Sequence, residues 1–399
     1  MGYPKAHTLA RDPPFHPSYL TGAPLLIVPP ATLGMPLAEV DTPALIVDLD
    51  AFEGNLRRMA EALPPDGRIK LRPHAKTHKS PDIALQQIRH GAVGVCCQKV
   101  AEAEILVRGG MPDVLVSNQV VGATKLRRLA ALARDVPIGV CADDAGNIAD
   151  LDAAAAEAGV TLRVLVEINV GANRCGVEPG EPAAQLAERV TRSRHLSFGG
   201  LQVYHGSAQH IRDHGERRAA IRQAADKAGS TRDLIRRRGI DCPTITGAGT
   251  GSFRFEIETG VWDELQCGSY IFMDADYARN LDSDGATRPE FAHSLFIWAT
   301  VMSRPNEERA IVDAGHKAYG IDSGMPTLPD FPDAVLERAA DEHGRIVLKR
   351  PTNALRLGDK IRLIPGHCDP TVNLHDWYVG IRNDRVETLW PVAARGALT

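Results

Sequence analysis

The chain has 399 residues, of which 44% are apolar and 24% charged, the balance of an ordinary globular enzyme with room for a large core and two domains. A formal net charge of -4 gives no footprint for nucleic acid or for an anionic membrane surface. No apolar run approaches the roughly 18 residues needed to cross a bilayer, and seven cysteines without CxxC spacing suit reduced thiols in a cytoplasm better than a disulfide framework.

Residues 1–37 read as an irregular arm: Lys5 and Arg11 lead into Asp12-Pro13-Pro14, and the apolar patch from Pro24 to Pro30 is too short and proline-bounded for a signal peptide. From Asp41 onward short apolar runs alternate with amphipathic stretches. Ala44–Asp48 is expected to be the first strand, with a helix from Phe52 to Leu63 after it. Ile69–Lys79 is expected to be a strand presenting Arg72, His74, Lys76 and His78 on one face, where cationic neighbours would lower the pKa of Lys76 and raise its nucleophilic fraction. A helix from Pro81 to His90 follows. Further strands are expected at Val93–Gln98, Asp113–Asn118, Ile138–Asp143, Leu162–Asn169, Phe198–Tyr204 and Thr244–Gly247, with helical segments between. Near-continuous apolar strands alternating with helices indicate a parallel sheet, and about eight such units fit a (β/α)8 TIM barrel better than an open doubly wound sheet. No GxGxxG follows the first strand, so a dinucleotide fold loses support.

A barrel places its active site at the C-terminal ends of the strands. Those ends carry Lys76, Gln98, Asn118, Asp143, Asn169–Arg174, Tyr204-His205 and the loop Thr246-Gly247-Ala248-Gly249-Thr250-Gly251-Ser252. Consecutive glycine amides converge readily on an anion, and no Lys-Ser/Thr follows, so the loop is not a Walker loop. Beside an activated lysine it suggests pyridoxal phosphate, with the phosphate on the glycine loop and the aldehyde carbon on Lys76. After Tyr277 short strands separated by turns predict an antiparallel β domain, with Asp276–Glu290 as a linker. The division is thus 1–37 arm, 38–285 barrel and 286–399 C-terminal β domain. Within the last, His367 and Asp369, at i and i+2 of an extended segment, point the same way and can share a metal whose shell water or substrate completes.

The segments RPHAKTHKS, VGVCCQKVAEAE, VEINVGANRCGV, GLQVYHGSAQH, TGAGTGS, ELQCGSYIFMDADY and PGHCDPTVNLHDWYVG occur in this order from Asp41 to the C-terminus. Together they resemble the fold-type III pyridoxal-phosphate enzymes, in particular the D-threonine aldolase and 3-hydroxy-D-aspartate aldolase group and its D-serine dehydratase relatives. The resemblance implies an alanine racemase-like fold and a homodimer, with Lys76 carrying the cofactor, and the cysteine pattern places the enzyme in the cytoplasm. It implies Gln98, Arg174 and Tyr204 around the ring, Thr246, Gly249, Thr250, Gly268, Ser269 and Tyr270 near the phosphate, and His210 in an acid/base role. The aldolases use H-x-D for a divalent metal and the dehydratases H-x-C; His367-Cys368-Asp369 has Asp at i+2, which favours an aldolase and a hard cation, Mn²⁺ or Mg²⁺, with Zn²⁺ as the other option.

The expected reaction is cleavage of a β-hydroxy-D-amino acid of the D-threonine, D-phenylserine or 3-hydroxy-D-aspartate type to glycine and an aldehyde, with His210 or hydroxide on the metal as base. Two alternatives stand beside it: metal-dependent β-elimination from D-serine or 3-hydroxyaspartate, and a non-catalytic pyridoxal-phosphate-binding protein, against which the second domain counts. Arg279, His316 and Lys317 are candidates to receive a β-carboxylate.

Overall fold

The computed structural model describes residues 28–350 and 354–399, so most of the expected N-terminal arm lies outside the described residues. The strands, in chain order, are β1 (Ala44–Asp48), β2 (Lys70–Leu71), β3 (Val95–Cys97), β4 (Val114–Gln119), β5 (Ile138–Ala142), β6 (Leu162–Glu167), β7 (Leu196–Val203), β8 (Ile245–Gly247), β9 (Glu264–Leu265), β10 (Leu295–Asn306), β11 (Arg309–Val312), β12 (Ala334–Ala339), β13 (Gly344–Leu348), β14 (Lys360–Leu363), β15 (Trp377–Arg382) and β16 (Arg385–Pro391).

Strands β2 to β9 form an eight-stranded parallel sheet in the order β2-β9-β8-β7-β6-β5-β4-β3. The ring closes between β2 and β3, where the Val93 N–H donates to Leu71 O at 2.9 Å and the Cys96 N–H to Pro73 O at 2.8 Å. Helices cover the outside. The first, Leu49–Ala62, starts where the Asp48 carboxylate accepts the Ala51 N–H, and it buries Leu49, Phe52, Leu56 and Met59 at helical spacing. The barrel interior holds a small apolar cluster of Cys96, Leu115, Cys141 and Leu165.

Beside that cluster runs a buried polar ladder. Arg163 and Arg72 both hold Asp113, Arg72 Nε donates to Glu264 at 2.9 Å, the Thr246 hydroxyl donates to Glu264 at 2.9 Å, and Gln266 Nε2 reaches Thr246 Oγ1 at 2.9 Å and Gln202 Oε1 at 2.7 Å. Polar groups in a barrel core persist only when each finds a partner. Here the chain of partners ends at Gln202 and Gln266, in the floor of the cavity described below.

The second sheet has the order β12-β13-β11-β10-β1-β15-β16, with β14 also paired to β10. It contains a correction: Ala44–Asp48, expected as the first barrel strand, lies here, antiparallel to β10 and parallel to β15. Its apolar run has the physical cause inferred, burial on both faces, but a central strand of a mixed sheet covered on both sides meets that condition as well as a barrel strand does. The strand β12 also went unread in the sequence.

The basic segment departs further from expectation. Only Lys70–Leu71 is strand, and after Pro73 the chain turns into a short 3-10 helix, Ala75–Thr77. The four basic side chains therefore diverge. Arg72 faces Glu264 and Asp113 inside the barrel, His78 faces Gln87 at 3.2 Å behind the site, and only His74 and Lys76 look into the cavity.

Candidate active site

At the C-terminal ends of the barrel strands lies a cavity of about 230 Å³. Its wall includes Lys76, Gln98, Arg174, Tyr204, Gly249, Thr250, Gly268 and Ser269, all expected from the sequence. It also includes His74, expected on the Lys76 face, and Ser117, Gln202, Gln266 and Tyr277, for which the sequence offers no such signal.

His74 is buried and its imidazole is fully engaged. Its Nδ1 accepts the Lys76 N–H at 3.3 Å, while Nε2 meets the Gln98 amide at 2.8 Å and Ser117 Oγ at 3.3 Å. Burial and the neighbouring Lys76 hold its pKa well below the usual histidine value, so the ring is a neutral spacer beneath the lysine. Arg174 stacks on the Tyr204 ring, 5.7 Å from its centroid, and burial pushes the Tyr204 hydroxyl pKa up.

Lys76 Nζ contacts Asp369 Oδ2, across the gap between barrel and β domain. This overturns the expectation of a lowered lysine pKa. Burial pulls the ammonium down, but the Asp369 carboxylate, with Tyr204, outweighs it and holds the pKa above the usual value. Asp369 correspondingly lies well below the ordinary carboxylate range: burial raises it, and Lys76 and His367 more than reverse that.

His367 and Asp369 come together as expected, by a different route. His367 is the extended N-cap of the short helix Cys368–Val372, and Asp369 sits in its first turn, so the convergence is that of a cap rather than of a pleated strand. His367 Nε2 stands 3.9 Å from Asp369 Oδ2. Its Nδ1–H donates to Asp322 Oδ2 at 2.7 Å, which fixes the tautomer and turns the Nε2 lone pair toward Asp369. Asp369 Oδ1 is buried and makes no hydrogen bond of normal geometry among the described residues, the Thr77 hydroxyl being its nearby polar neighbour. An imidazole nitrogen near a carboxylate whose other oxygen is left without a hydrogen bond is a donor set that fits a divalent cation. Cys368 points away, its thiol toward Met273 O, and among the described residues no cluster of three or more His, Cys, Asp or Glu could complete a closed shell.

The glycine loop follows β8, the seventh barrel strand. Ala248 has a φ of +72°, and a Cβ on Gly249 would stand 2.5 Å from Gln209 Oε1, so the backbone is folded tightly over that side chain. Gln209 Oε1 takes the Gly251 N–H at 3.0 Å, while the N–H groups of Gly249, Thr250 and Ser269 find no acceptor among the described residues. Three unengaged amides on a cavity wall opposite a lysine fit the phosphate of a pyridoxal cofactor.

Three expected residues are placed elsewhere. Thr246 lies below the cavity in the polar ladder. Tyr270 gives its N–H to Thr250 Oγ1, but its side chain is buried behind the wall, where its hydroxyl takes Gln87 Nε2 at 3.1 Å. His210 does not line the cavity and is half-exposed: its ring lies 5.8 Å from that of Tyr277, which does line it, and its Nδ1 is 2.6 Å from Asp276 Oδ2. Of the candidate β-carboxylate receptors, Arg279 is committed to Asp276 and the Ser323 carbonyl and Lys317 to Glu342 on the surface, while His316 is exposed and does not line the cavity.

Comparison with known proteins agrees with this arrangement. Residues 47–276 match the family model described as alanine racemase, N-terminal domain, and residues 294–381 that of a putative serine dehydratase domain. The chain is 46% identical over 371 residues to a 3-hydroxy-D-aspartate aldolase of Paracoccus denitrificans, covering 92% of this chain and 95% of the relative. It is 46% identical over 372 residues to a D-threonine aldolase of an Arthrobacter species, covering 93% and 97%. A crystal structure of D-threonine aldolase from Filomicrobium marinum superposes with a TM-score of 0.90 at 53% identity, covering 93% of this chain and 100% of that one. A parallel barrel bearing a lysine and an anion cradle, faced by a β domain bearing His-x-Asp, thus coincides with relatives matched along nearly the whole chain, which belongs to the D-threonine aldolase and 3-hydroxy-D-aspartate aldolase family of fold-type III enzymes.

Proposed function

We propose that the protein is a pyridoxal-phosphate- and divalent-metal-dependent aldolase that cleaves β-hydroxy-D-amino acids to glycine and an aldehyde. The observation that carries this reading is the contact of Lys76 with Asp369, which puts the cofactor-carrying amine of the barrel beside the metal-ligating carboxylate of the β domain. Bound pyridoxal phosphate supplies the electron sink for the carbanion left when Cα–Cβ breaks, and a bound cation lowers the pKa of the β-hydroxyl.

The chain's own residues do the rest. Lys76 Nζ would hold the cofactor at its aldehyde, and the amides of Gly249, Thr250 and Ser269 would hold its phosphate. Neutral His74, held by Gln98 and Ser117, keeps a second cation away from the lysine. His367, oriented by Asp322, and Asp369 would hold the metal. His210 offers Nε2 for the hydroxyl proton, its Nδ1 being taken by Asp276.

A carboxylate at position 369 in place of a thiolate makes Mn²⁺ or Mg²⁺ the cation of this proposal, and the imidazole of His367 also accommodates Zn²⁺. We extend the proposal to a cytoplasmic homodimer, and to a division in which residues 38–285 supply the barrel and residues 286–399 the β domain, the latter completed by β1. The test is an assay of the purified protein on D-threonine, D-phenylserine and 3-hydroxy-D-aspartate, with and without chelator. Glycine with the matching aldehyde is expected, lost on chelation; ammonia and a keto acid would instead identify a β-eliminating dehydratase.

A further inference from the structure

His210 lies on the loop after β7, and Asp276 is its hydrogen-bond partner. Asp276 is only 4% exposed, and its other oxygen, Oδ1, accepts from both Arg212 and Arg279, while Arg212 also holds the Asp276 main-chain oxygen at 2.7 Å. Burial raises this carboxyl, but the hydrogen bonds from Arg212, Arg279 and His210 prevail and hold it below the usual range, so it is an ionised and fixed acceptor.

The short segment that carries Asp276 is bonded to the metal loop on both sides of it. Asp274 Oδ2 takes the Cys368 N–H at 3.2 Å, the Ala275 N–H donates to Pro365 O at 3.0 Å, and the Cys368 thiol approaches Met273 O at 3.4 Å. Arg279 completes the link. The same terminal nitrogen that holds Asp276 donates to Ser323 O at 2.9 Å, and Ser323 follows Asp322, the residue that orients His367. One guanidinium thus joins the carboxylate that sets His210 to the loop that sets His367.

We propose that Asp276 is a positioning residue for His210 and that Arg279 ties this positioning to the metal loop, so that the proton-transferring histidine and the cation-holding histidine are set as one unit. The proposal rests on the reading of His210 as the proton-transfer residue. Coupling of this kind is reciprocal, so disturbing the bracket should be felt at the metal as well as at His210.

Asp276→Asn is the discriminating variant. Two arginines claim the side-chain oxygen, so the new NH₂ faces His210 Nδ1, forces the proton onto Nε2 and removes the lone pair needed by a base. In the cofactor-loaded, Mn²⁺-saturated enzyme, kcat should fall about 10- to 100-fold with KM little changed, while adding Asp276→Asn to His210→Ala should cost nothing further. Additive losses in the double variant would overturn the positioning role. A loss in His210→Ala with wild-type kcat in Asp276→Asn would overturn the proposal alone, whereas wild-type kcat in His210→Ala would overturn the reading beneath it. Calorimetric titration of the chelator-stripped protein with Mn²⁺ tests the second half. Arg279→Met should weaken Mn²⁺ binding about tenfold and Arg279→Lys should recover part of it, with the visible absorbance of the bound cofactor unchanged in both; equal Mn²⁺ affinity in Arg279→Met would overturn the link.

Discussion

Asp322→Ala isolates what the structure adds to the two residues of the His-x-Asp motif. Asp322 accepts the Nδ1–H of His367 at 2.7 Å and so leaves Nε2 as the lone pair facing Asp369. Removing such a partner frees the ring to rotate and to take the other tautomer, and typically costs about 10- to 100-fold in metal affinity. The Asp322 side chain is 53% exposed, so water screens the pair and can replace the lost acceptor, which places the expected loss at the lower end. We therefore expect Kd for Mn²⁺ to rise about tenfold, about 1.4 kcal/mol, by calorimetric titration of the chelator-stripped, cofactor-loaded protein, and kcat to recover in excess Mn²⁺. An unchanged Kd would show that the Asp322 contact does not set the imidazole. A kcat that stays low at saturating Mn²⁺ would place Asp322 in the chemistry rather than in metal binding.

Arg72→Met leaves Glu264 and Asp113 without the guanidinium that holds them at 2.9 and 2.7 Å in the barrel, and should lower unfolding stability in urea by about 3 to 5 kcal/mol. Part of that should return on adding Glu264→Gln, whereas a loss under about 1 kcal/mol would mean that the ladder carries no buried charge. Burial pushes the Glu256 carboxyl from 4.5 up to about 7. An acid whose folded pKa is raised contributes stability that is fully present below its unfolded value and lost as pH rises through the folded one. Wild type should thus lose about 3 kcal/mol relative to Glu256→Gln between pH 4.5 and somewhat above 7, and parallel stability–pH curves for the two proteins would refute this. Gly249→Ala puts a Cβ against Gln209 and displaces the acceptor of the Gly251 N–H, so cofactor affinity by fluorescence titration should fall at least roughly fivefold, the equivalent of about 1 kcal/mol for one hydrogen bond; unchanged affinity would mean that Gln209 does not brace the loop.

How far the sequence was legible follows from how local each determinant is. The strands β3 to β8 fell within a few residues of their expected places because parallel strands buried on both faces are continuous apolar runs. For the same reason β1 was assigned to the wrong sheet, since its Leu45 and Val47 are as buried as any barrel residue. The strand β12 interrupts its alternation with Glu337 and Arg338 and carries little apolar signal. Within the site, Lys76, Gln98, Arg174, Tyr204 and the two glycine segments sit at strand ends, where position along the chain already fixes their side of the barrel. Asp322 and Asp276 were invisible because each acts on a histidine 45 or 66 residues away, a separation no spacing rule covers. The alternation rule failed at Ile69–Lys79 because Pro73 ends the strand and the 3-10 turn rotates each later side chain to a new direction.

The misplaced first strand explains how two sheets can share one site. Since β1 lies between β10 and β15, the β domain is completed by a segment that precedes the barrel in the chain. Asp48 ends that strand and caps the helix Leu49–Ala62, whose buried Asn55 holds Ile271 O at 3.2 Å and Ala292 O at 2.8 Å and takes the Ala292 N–H at 2.9 Å. The first of those carbonyls lies within the stretch from Ser269 to Arg279, which carries the amide proposed for the phosphate at one end and the Asp276–Arg279 bracket at the other. The Tyr378 hydroxyl of β15 adds a further tie, donating at 2.6 Å to His78 O just past Lys76. A chain that enters the second sheet, builds the barrel and returns to the same sheet fixes Lys76 against Asp369 from both sides, and the proposed reaction requires that fixed relation, because its amine belongs to one sheet's framework and its carboxylate to the other's.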